Sequence, residues 1–206
     1  MNEHEILRAA AEYYSDKLRR FGATPRGVDW NSEDAQQIRF TELLRVAGCD
    51  GTFRLNDFGC GYGALLERLD ARCTRYTGYD VAPAMIEAAR RRYPGRREAR
   101  FTTALGDVPR ADYSVASGIF GVKGAVDAET WLAHIHHTLD EMRARSERGF
   151  AFNALTAYSD PERMRPDLYY ADPHALFEHC FKRYSQQVAL LHDYGLWEFT
   201  IRVRLD

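Results

Sequence analysis

A glycine cluster is the feature of this sequence most able to bind a ligand. Gly59, Gly61 and Gly63 follow a short apolar segment and precede a helical one. Glycine permits a tight turn with positive φ, and it lacks the Cβ that would keep a ligand away from the backbone. The helix that such a turn opens also presents free N–H groups, which attract carboxylate or phosphate. The cluster therefore predicts a binding turn at the end of a strand.

Two acidic residues flank this turn in the predicted fold. Asp57 directly precedes it, and Asp80 ends the next predicted strand, 21 residues after Gly59. That spacing suits a carboxylate that accepts both hydroxyls of an adenosine ribose. Asp57 would repel a pyrophosphate but could accept from an ammonium group. Because Gly59, Gly61 and Ala64 also satisfy a relaxed dinucleotide fingerprint, a nicotinamide-dependent oxidoreductase stays an alternative.

Alternating strands and helices position these residues. Helices are predicted over residues 1–22, 32–47, 64–71, 83–93, 129–147 and 173–184, and strands over 53–57, 75–80, 99–103, 113–119, 150–155, 187–192 and 196–205. The alternation is typical of parallel βαβ units, whereas the last two strands, joined by only three residues, must be antiparallel. We expect an α/β, Rossmann-like doubly wound sheet of seven strands, five parallel plus a C-terminal β-hairpin. An N-terminal helical cap, residues 1–48, would belong to the same domain as residues 49–206.

Composition limits the classes of function. The 206 residues suffice for one α/β domain, and the net charge of −2 gives no attraction to nucleic acid or to anionic membranes. The N-terminus does not resemble a signal peptide, and no apolar run is long enough to span a bilayer. The four cysteines lack C-x-x-C spacing. We therefore expect a cytoplasmic protein with free thiols and no nucleic-acid or membrane partner.

Three stretches together resemble class I S-adenosylmethionine-dependent methyltransferases: Asn56-Asp-Phe-Gly-Cys-Gly-Tyr-Gly63, Tyr79-Asp80 and Gly106-Asp107. The resemblance covers about residues 50–205, and the segment from Tyr13-Tyr14 to Ser32 is similar to the cap of stand-alone bacterial small-molecule members. It implies S-adenosylmethionine as cofactor and a reversed last strand in the sheet. The implied cofactor contacts are Trp30, Asp57, Gly59, Cys60, Gly61, Gly63, Asp80, Val81, Met85, Gly106, Asp107, Val108, Ser117, Gly118 and Ile119.

Each part of the cofactor has an implied partner in this family. The glycine turn meets the methionyl part, and Asp80 takes the ribose. Val81 and Met85 pack on the adenine ring, whose amino group donates to Asp107. The stretch Ser117–Ile119, at the end of the fourth predicted strand, lines the sulfonium region.

Candidates for the acceptor side must lie past strand ends or in the cap. His174, the only histidine in the long loop after the fifth strand, is the best candidate base. The alternative is that Asp172-Pro-His174 only starts a helix, with Asp172 as N-cap. The N-terminal segment 1–32 and the segment 156–175 would close a substrate chamber over the sheet. The candidate substrate contacts are Tyr14, Phe120, Asn153, Tyr169 and Tyr170.

Three further histidines are predicted to lie away from the ends of the strands. His134, His136 and His137 fall in the middle of a predicted helix, which places them away from strand ends. Two of them have i, i+3 spacing, but no acidic partner is nearby, so we expect no metal site.

The resemblance implies methyl transfer from S-adenosylmethionine to an O, N or C atom of a small molecule. The fourth strand lacks the Asn/Asp-Pro-Pro-Tyr motif and carries Ser117-Gly-Ile-Phe120 instead, which in this family disfavours adenine or glutamine-amide methylation. Three alternatives stay open at this point. The cofactor could serve aminobutyl transfer or cyclisation, the chain could be an NAD-dependent oxidoreductase, or it could be a non-catalytic binding protein.

Overall fold

The computed structural model describes residues 1–30 and 32–205, so Asn31 of the predicted cap lies outside the described residues. Five α-helices and seven strands make up the regular structure of this part of the chain. The helices are α1 (Glu3–Phe21), α2 (Glu33–Leu44), α3 (Pro83–Arg92), α4 (Ala128–Ala144) and α5 (Pro173–Arg183). The strands are β1 (Phe53–Phe58), β2 (Cys73–Tyr79), β3 (Ala99–Thr102), β4 (Ala111–Ala116), β5 (Ser146–Leu155), β6 (Val188–Leu191) and β7 (Glu198–Arg204).

The strands form one sheet in the order β3-β2-β1-β4-β5-β7-β6. The first five strands pair in parallel, and β7 runs antiparallel to both β5 and β6. This confirms the predicted doubly wound sheet with its reversed last strand. The strand order reverses between β1 and β4, where ligands bind in open α/β sheets. Asp57, near the end of β1, lies in register with Gly78 of β2 and Val115 of β4.

Two predicted boundaries differ in ways that matter for the site. The helix expected over residues 64–71 is only a short 3-10 turn, Ala64–Arg68, because the Asp70 side chain accepts the Arg72 N–H at 2.9 Å and turns the chain toward β2. The fourth strand ends at Ala116 rather than at Ile119. Gly118, with φ of +74°, turns the chain out of the sheet, so residues 117–119 form a loop.

The last connection and the cap differ less from expectation. The loop between β6 and β7 spans residues 192–197 instead of three residues. Ser32 caps α2 as predicted, since its hydroxyl accepts the Ala35 N–H at 3.1 Å.

The four cysteines are free. No helix in the described part of the chain is long and apolar enough to cross a membrane.

Helices cover both faces of the sheet, and a further helix, α1, lies over the carboxyl ends of its strands. α2 and α3 pack on one apolar face, and α4 and α5 pack on the other. In contrast, α1 buries only Ile6 fully, yet its residues 3, 7, 10 and 14 line a cavity. These positions share one face of a helix. α1 is therefore a lid that lies over the carboxyl ends of the strands.

Candidate functional site

A cavity of about 1300 Å³, including its open mouth, lies beneath α1 at the ends of β1, β2 and β4. Its walls come from the glycine turn, the loop after β4, the start of α3 and one face of α4. Most of the residues predicted to bind the cofactor line this cavity. They are Trp30, Asp57, Gly59, Cys60, Gly61, Asp80, Val81, Met85, Ser117, Gly118 and Ile119.

The glycine turn is held by backbone bonds to the neighbouring strand. The N–H groups of Gly59 and Cys60 donate to the carbonyl of Tyr79 at 2.7 and 3.0 Å. Gly59 and Gly61 have φ of +70° and +54°, which side chains rarely adopt. A Cβ on Gly59 would overlap the Ile119 side chain. Glycine is thus required here by the backbone conformation and by close packing on the loop after β4.

Two buried carboxylates lie below the turn. Asp80 accepts the Gly61 N–H at 2.9 Å and the Ala82 N–H at 2.8 Å, and burial raises its pKa to about 6. Asp57 accepts the Tyr76 hydroxyl at 2.7 Å, and burial raises its pKa to about 7. In the described part of the chain, no lysine or arginine pairs with either group. The pair therefore forms an anionic wall that a cationic ligand would stabilise.

Trp30 closes the cavity between the lid and the loop after β4. Its indole packs so closely on Gly118 that a Cβ there would overlap it. On a ring face, the guanidinium of Arg39 lies 4.0 Å from the centroid. Arg39 also donates to buried Glu198, with Nε 2.7 Å from Oε2. Trp30 is thus fixed by a buried ion pair that joins α2 to β7.

The segment before Trp30 is anchored to the lid helix. Asp29 adopts a left-handed conformation with φ of 62°. Its carboxylate accepts the Tyr13 hydroxyl and pairs with the Lys17 ammonium at 2.5 Å. Because α1 and the Trp30 loop are tied together, we expect them to move as one unit.

Three buried polar atoms lack a hydrogen-bond partner among the described residues: Ser117 Oγ, which lines the cavity, and Arg39 Nη1 and Asn153 Nδ2, whose residues contact the lining residues Trp30 and Gly118. Asn153 uses its other atom, Oδ1, to accept the Gly118 N–H at 2.7 Å, which fixes the loop after β4. A buried donor without a partner costs about 1–3 kcal/mol. Such atoms are typical of a site that a polar ligand completes.

Four residues predicted to contact the cofactor lie outside the cavity lining. Gly63 is required by packing, since a Cβ there would lie 3.0 Å from the rings of Phe101 and Tyr93. Val108 is buried in the apolar core. Asp107 pairs with Arg100 at 3.4 Å on the surface. Gly106, which neighbours Asp107, has open space around its Cβ position.

The predicted acceptor-side residues divide in the same way. Tyr14 lines the cavity, and Phe120 and Asn153 are buried outside its lining. The segment 156–175 contributes no lining residue. It packs instead behind the loop after β4, where the Tyr169 N–H donates to the Gly121 carbonyl at 2.8 Å. Tyr170 follows it and accepts the Arg165 N–H through its hydroxyl.

His174 is exposed and lies outside the cavity lining. Asp172 caps the helix that begins there, because its carboxylate accepts the His174 and Ala175 N–H groups at 2.8 and 3.3 Å. This arrangement matches the alternative in which Asp172-Pro-His174 only starts a helix. The role of His174 as a base stays a prediction, and the geometry does not support it.

One face of α4 was missed from the sequence. The expectation that its histidines lie away from the site was wrong for two of them, because α1 crosses the sheet edge and brings Glu3 against α4. His134 Nδ1 lies 2.8 Å from Glu3 Oε1. The spacing of the polar residues on one helical face was the available signal. The lining residues from α4 are Trp131, His134, His137, Thr138 and Glu141.

None of these groups forms a metal centre. In residues 1–30 and 32–205, no cluster of three or more His, Cys, Asp or Glu side chains is placed to hold a metal ion.

Known proteins match both the sequence and this architecture. A family model described as "Methyltransferase domain" matches residues 56–143. The chain is 58% identical over 164 residues to a protein of Mycobacterium tuberculosis named "Putative methyltransferase Rv1506c", covering 78% of this chain and 98% of that protein.

Solved structures share the fold at low sequence identity. One is the N-methyltransferase NodS from Bradyrhizobium japonicum WM9 in complex with S-adenosyl-L-homocysteine, with a TM-score of 0.67, 17% identity, and coverage of 95% of this chain and 97% of that chain. Another is the magnesium protoporphyrin IX methyltransferase ChlM from Synechocystis PCC 6803 with bound S-adenosyl-L-homocysteine. Its TM-score is 0.65 at 12% identity, with 97% of this chain and 99% of that chain covered.

Proposed function

The chain belongs to the S-adenosylmethionine-dependent methyltransferases, and on that basis we propose that it methylates an O, N or C atom of a small-molecule acceptor held beneath α1. The observation that carries this proposal is the convergence of the glycine turn, two buried carboxylates and an apolar slot in one cavity.

The residues present fit the chemistry of the cofactor. We assign Asp80 to the ribose hydroxyls and Asp57 to the methionyl ammonium group, because both carboxylates line the cavity beside the glycine turn. Val81, Met85 and Leu105 offer an apolar slot for adenine. We assign the carboxylate of the cofactor's methionyl part to the side of the cavity near Trp30. There, Arg39 Nη1 is a buried donor without a partner among the described residues. When bound, the cofactor supplies an electrophilic methyl carbon.

The rest of the cavity suits a small acceptor. The empty space of about 1300 Å³ includes open solvent at the mouth, so the mixed apolar and polar lining, rather than the size, supports a small-molecule site. Apolar side chains of the lid and of the loop after β4 would exclude water from the reaction. Methyl transfer mainly requires an in-line approach at close range, which a closed chamber favours.

A labelling experiment tests the class of acceptor. The purified protein is incubated with methyl-labelled S-adenosylmethionine and, separately, with low-molecular-mass, protein and RNA fractions of a cell extract. We expect a labelled small-molecule product, distinct from the unreacted cofactor, in the low-molecular-mass fraction. S-adenosylhomocysteine should form together with it. Label only in protein or RNA would contradict the proposal. Titration with NADH, which we expect not to bind, tests the dinucleotide alternative separately.

Cofactor affinity should rise with pH because the two carboxylates are protonated more easily than usual. Their raised pKa values, about 7 for Asp57 and about 6 for Asp80, mean that the ligand-free protein binds protons below neutral pH. A cationic ligand favours the ionised forms, so binding releases protons. Affinity for S-adenosylmethionine is therefore expected to increase between about pH 5 and pH 7 and then to level off.

Calorimetry in two buffers of different ionisation enthalpy measures this proton release directly. The variant Asp57→Asn should show weaker binding and a smaller pH dependence. Affinity that is constant from acidic to neutral pH, with no proton release, would show that neither carboxylate faces the cofactor's positive charges.

A further inference from the structure

The wall of the cavity formed by α4 carries a histidine–carboxylate pair that the cofactor contacts above do not use. Glu3 Oε1, on the lid helix, lies 2.8 Å from His134 Nδ1, which is hydrogen-bonding distance. The His134 side chain is 9% exposed, and that of Glu3 is 39% exposed. Both residues line the cavity. No described residue occupies the second ring nitrogen, Nε2.

A carboxylate that accepts a hydrogen bond from one imidazole nitrogen determines which of the two ring nitrogens carries the proton. With the proton on Nδ1 directed to Glu3, Nε2 carries a lone pair and can accept a proton. The carboxylate then stabilises the imidazolium that forms. A base that is itself oriented by a third group is the arrangement found when a hydroxyl must be activated.

Contacts connect this pair to the loop after β4. The rings of His134 and Trp131 are 5.0 Å apart. The Trp131 indole N–H donates to the Phe120 carbonyl at 2.9 Å. Phe120 directly follows Ser117–Ile119, the stretch that the family resemblance assigns to the sulfonium region. Trp131 thus links His134 to the loop after β4. The methyl group of the cofactor would lie beside that loop.

We propose that His134, oriented by Glu3, removes the proton from a hydroxyl acceptor, so that the substrate is a phenol or an alcohol. The proposal rests on the proposed methyltransferase function. Nε2 takes the hydroxyl proton as the oxygen bonds to the methyl carbon. The S–C bond breaks, and its electron pair stays on sulfur, which becomes the neutral thioether of S-adenosylhomocysteine. The imidazolium later returns its proton to water.

The test uses phenols of different acidity as probe acceptors, with amines alongside them. 4-Nitrophenol, already largely ionised at mildly alkaline pH, needs no base, whereas unsubstituted phenol does. His134→Gln should lower the rate with phenol about a hundredfold or more and leave the rate with 4-nitrophenol within a few-fold of the wild type. Glu3→Gln should give a smaller loss with the same selectivity. His136→Gln, on the same helix but outside the cavity, is the matched control and should behave like the wild type.

The outcomes separate catalysis from lid closure. Binding of S-adenosylhomocysteine to His134→Gln should match the wild type by calorimetry. Equal losses with both phenols, or a large loss of this binding, would mean that the pair only holds the lid shut, and would overturn the proposal. Methylation of amines with no methylation of any phenol or alcohol would overturn the hydroxyl assignment. The proposed function itself fails only if the extract experiment yields no labelled small-molecule product in the low-molecular-mass fraction.

Discussion

Replacing Gly61 by valine should abolish binding of S-adenosylmethionine and S-adenosylhomocysteine while the protein stays folded. Gly61 has φ of +54°, which a β-branched residue strongly disfavours. Its Cβ would lie 3.1 Å from Val28 Cγ1 at the base of the lid. The branched side chain would therefore either displace the lid or turn the Gly61 N–H away from Asp80. We expect affinity to fall more than a hundredfold in a calorimetric titration.

A matched glycine separates this effect from general damage. Gly95 lies in an exposed loop with open space around its Cβ position and has no positive φ. Gly95→Val should therefore bind S-adenosylhomocysteine as the wild type does. Circular dichroism and thermal unfolding report whether each variant is folded. A folded Gly61→Val protein with full affinity would show that the turn is not the cofactor site.

The second large effect is expected from Asp80→Asn, which keeps the size of the side chain and removes its charge. Charge-assisted hydrogen bonds contribute roughly 1.5–3 kcal/mol. Their loss at the ribose corresponds to an affinity about ten- to one-hundredfold lower. Asp80 also accepts the Gly61 and Ala82 N–H groups, so the turn should become more mobile.

Asp112→Asn is the matched control for this substitution. Asp112 lies near the start of β4, at the opposite end of the strand from the cavity, and pairs with Arg54 at 3.0 Å. We expect its loss to lower stability slightly and to leave cofactor affinity unchanged. Equal affinity of Asp80→Asn and wild type for S-adenosylhomocysteine would exclude Asp80 as the ribose partner.

The sequence predicted the sheet and the grouping of the glycine turn with the two acids because local rules determine both. A glycine turn after a buried strand, and an acid after the next strand, meet at one sheet edge in any parallel βαβ arrangement. Asp57, Gly61 and Asp80 accordingly lie together in the cavity. Their positions follow from strand order, which alternation along the chain indicates.

The α4 wall, which we propose as the acceptor side, could not be predicted in the same way because it depends on how distant segments pack. The path of α1 over the sheet edge brings Glu3 to His134, 131 residues apart in the chain. No local pattern encodes that approach. The long segment 156–175 was expected to close the chamber because it is aromatic and follows β5. It pairs instead with the loop after β4, through an isolated bridge between Val122 and Leu168.

A crystal structure of the protein with S-adenosylhomocysteine tests the central claim most directly. We expect the nucleoside beneath α1, with the ribose hydroxyls on Asp80, the adenine between Met85 and Leu105, and the methionyl part beside Gly59–Gly61 and Trp30. A ligand bound outside this cavity, or a protein that excludes the ligand at saturating concentration, would contradict the account.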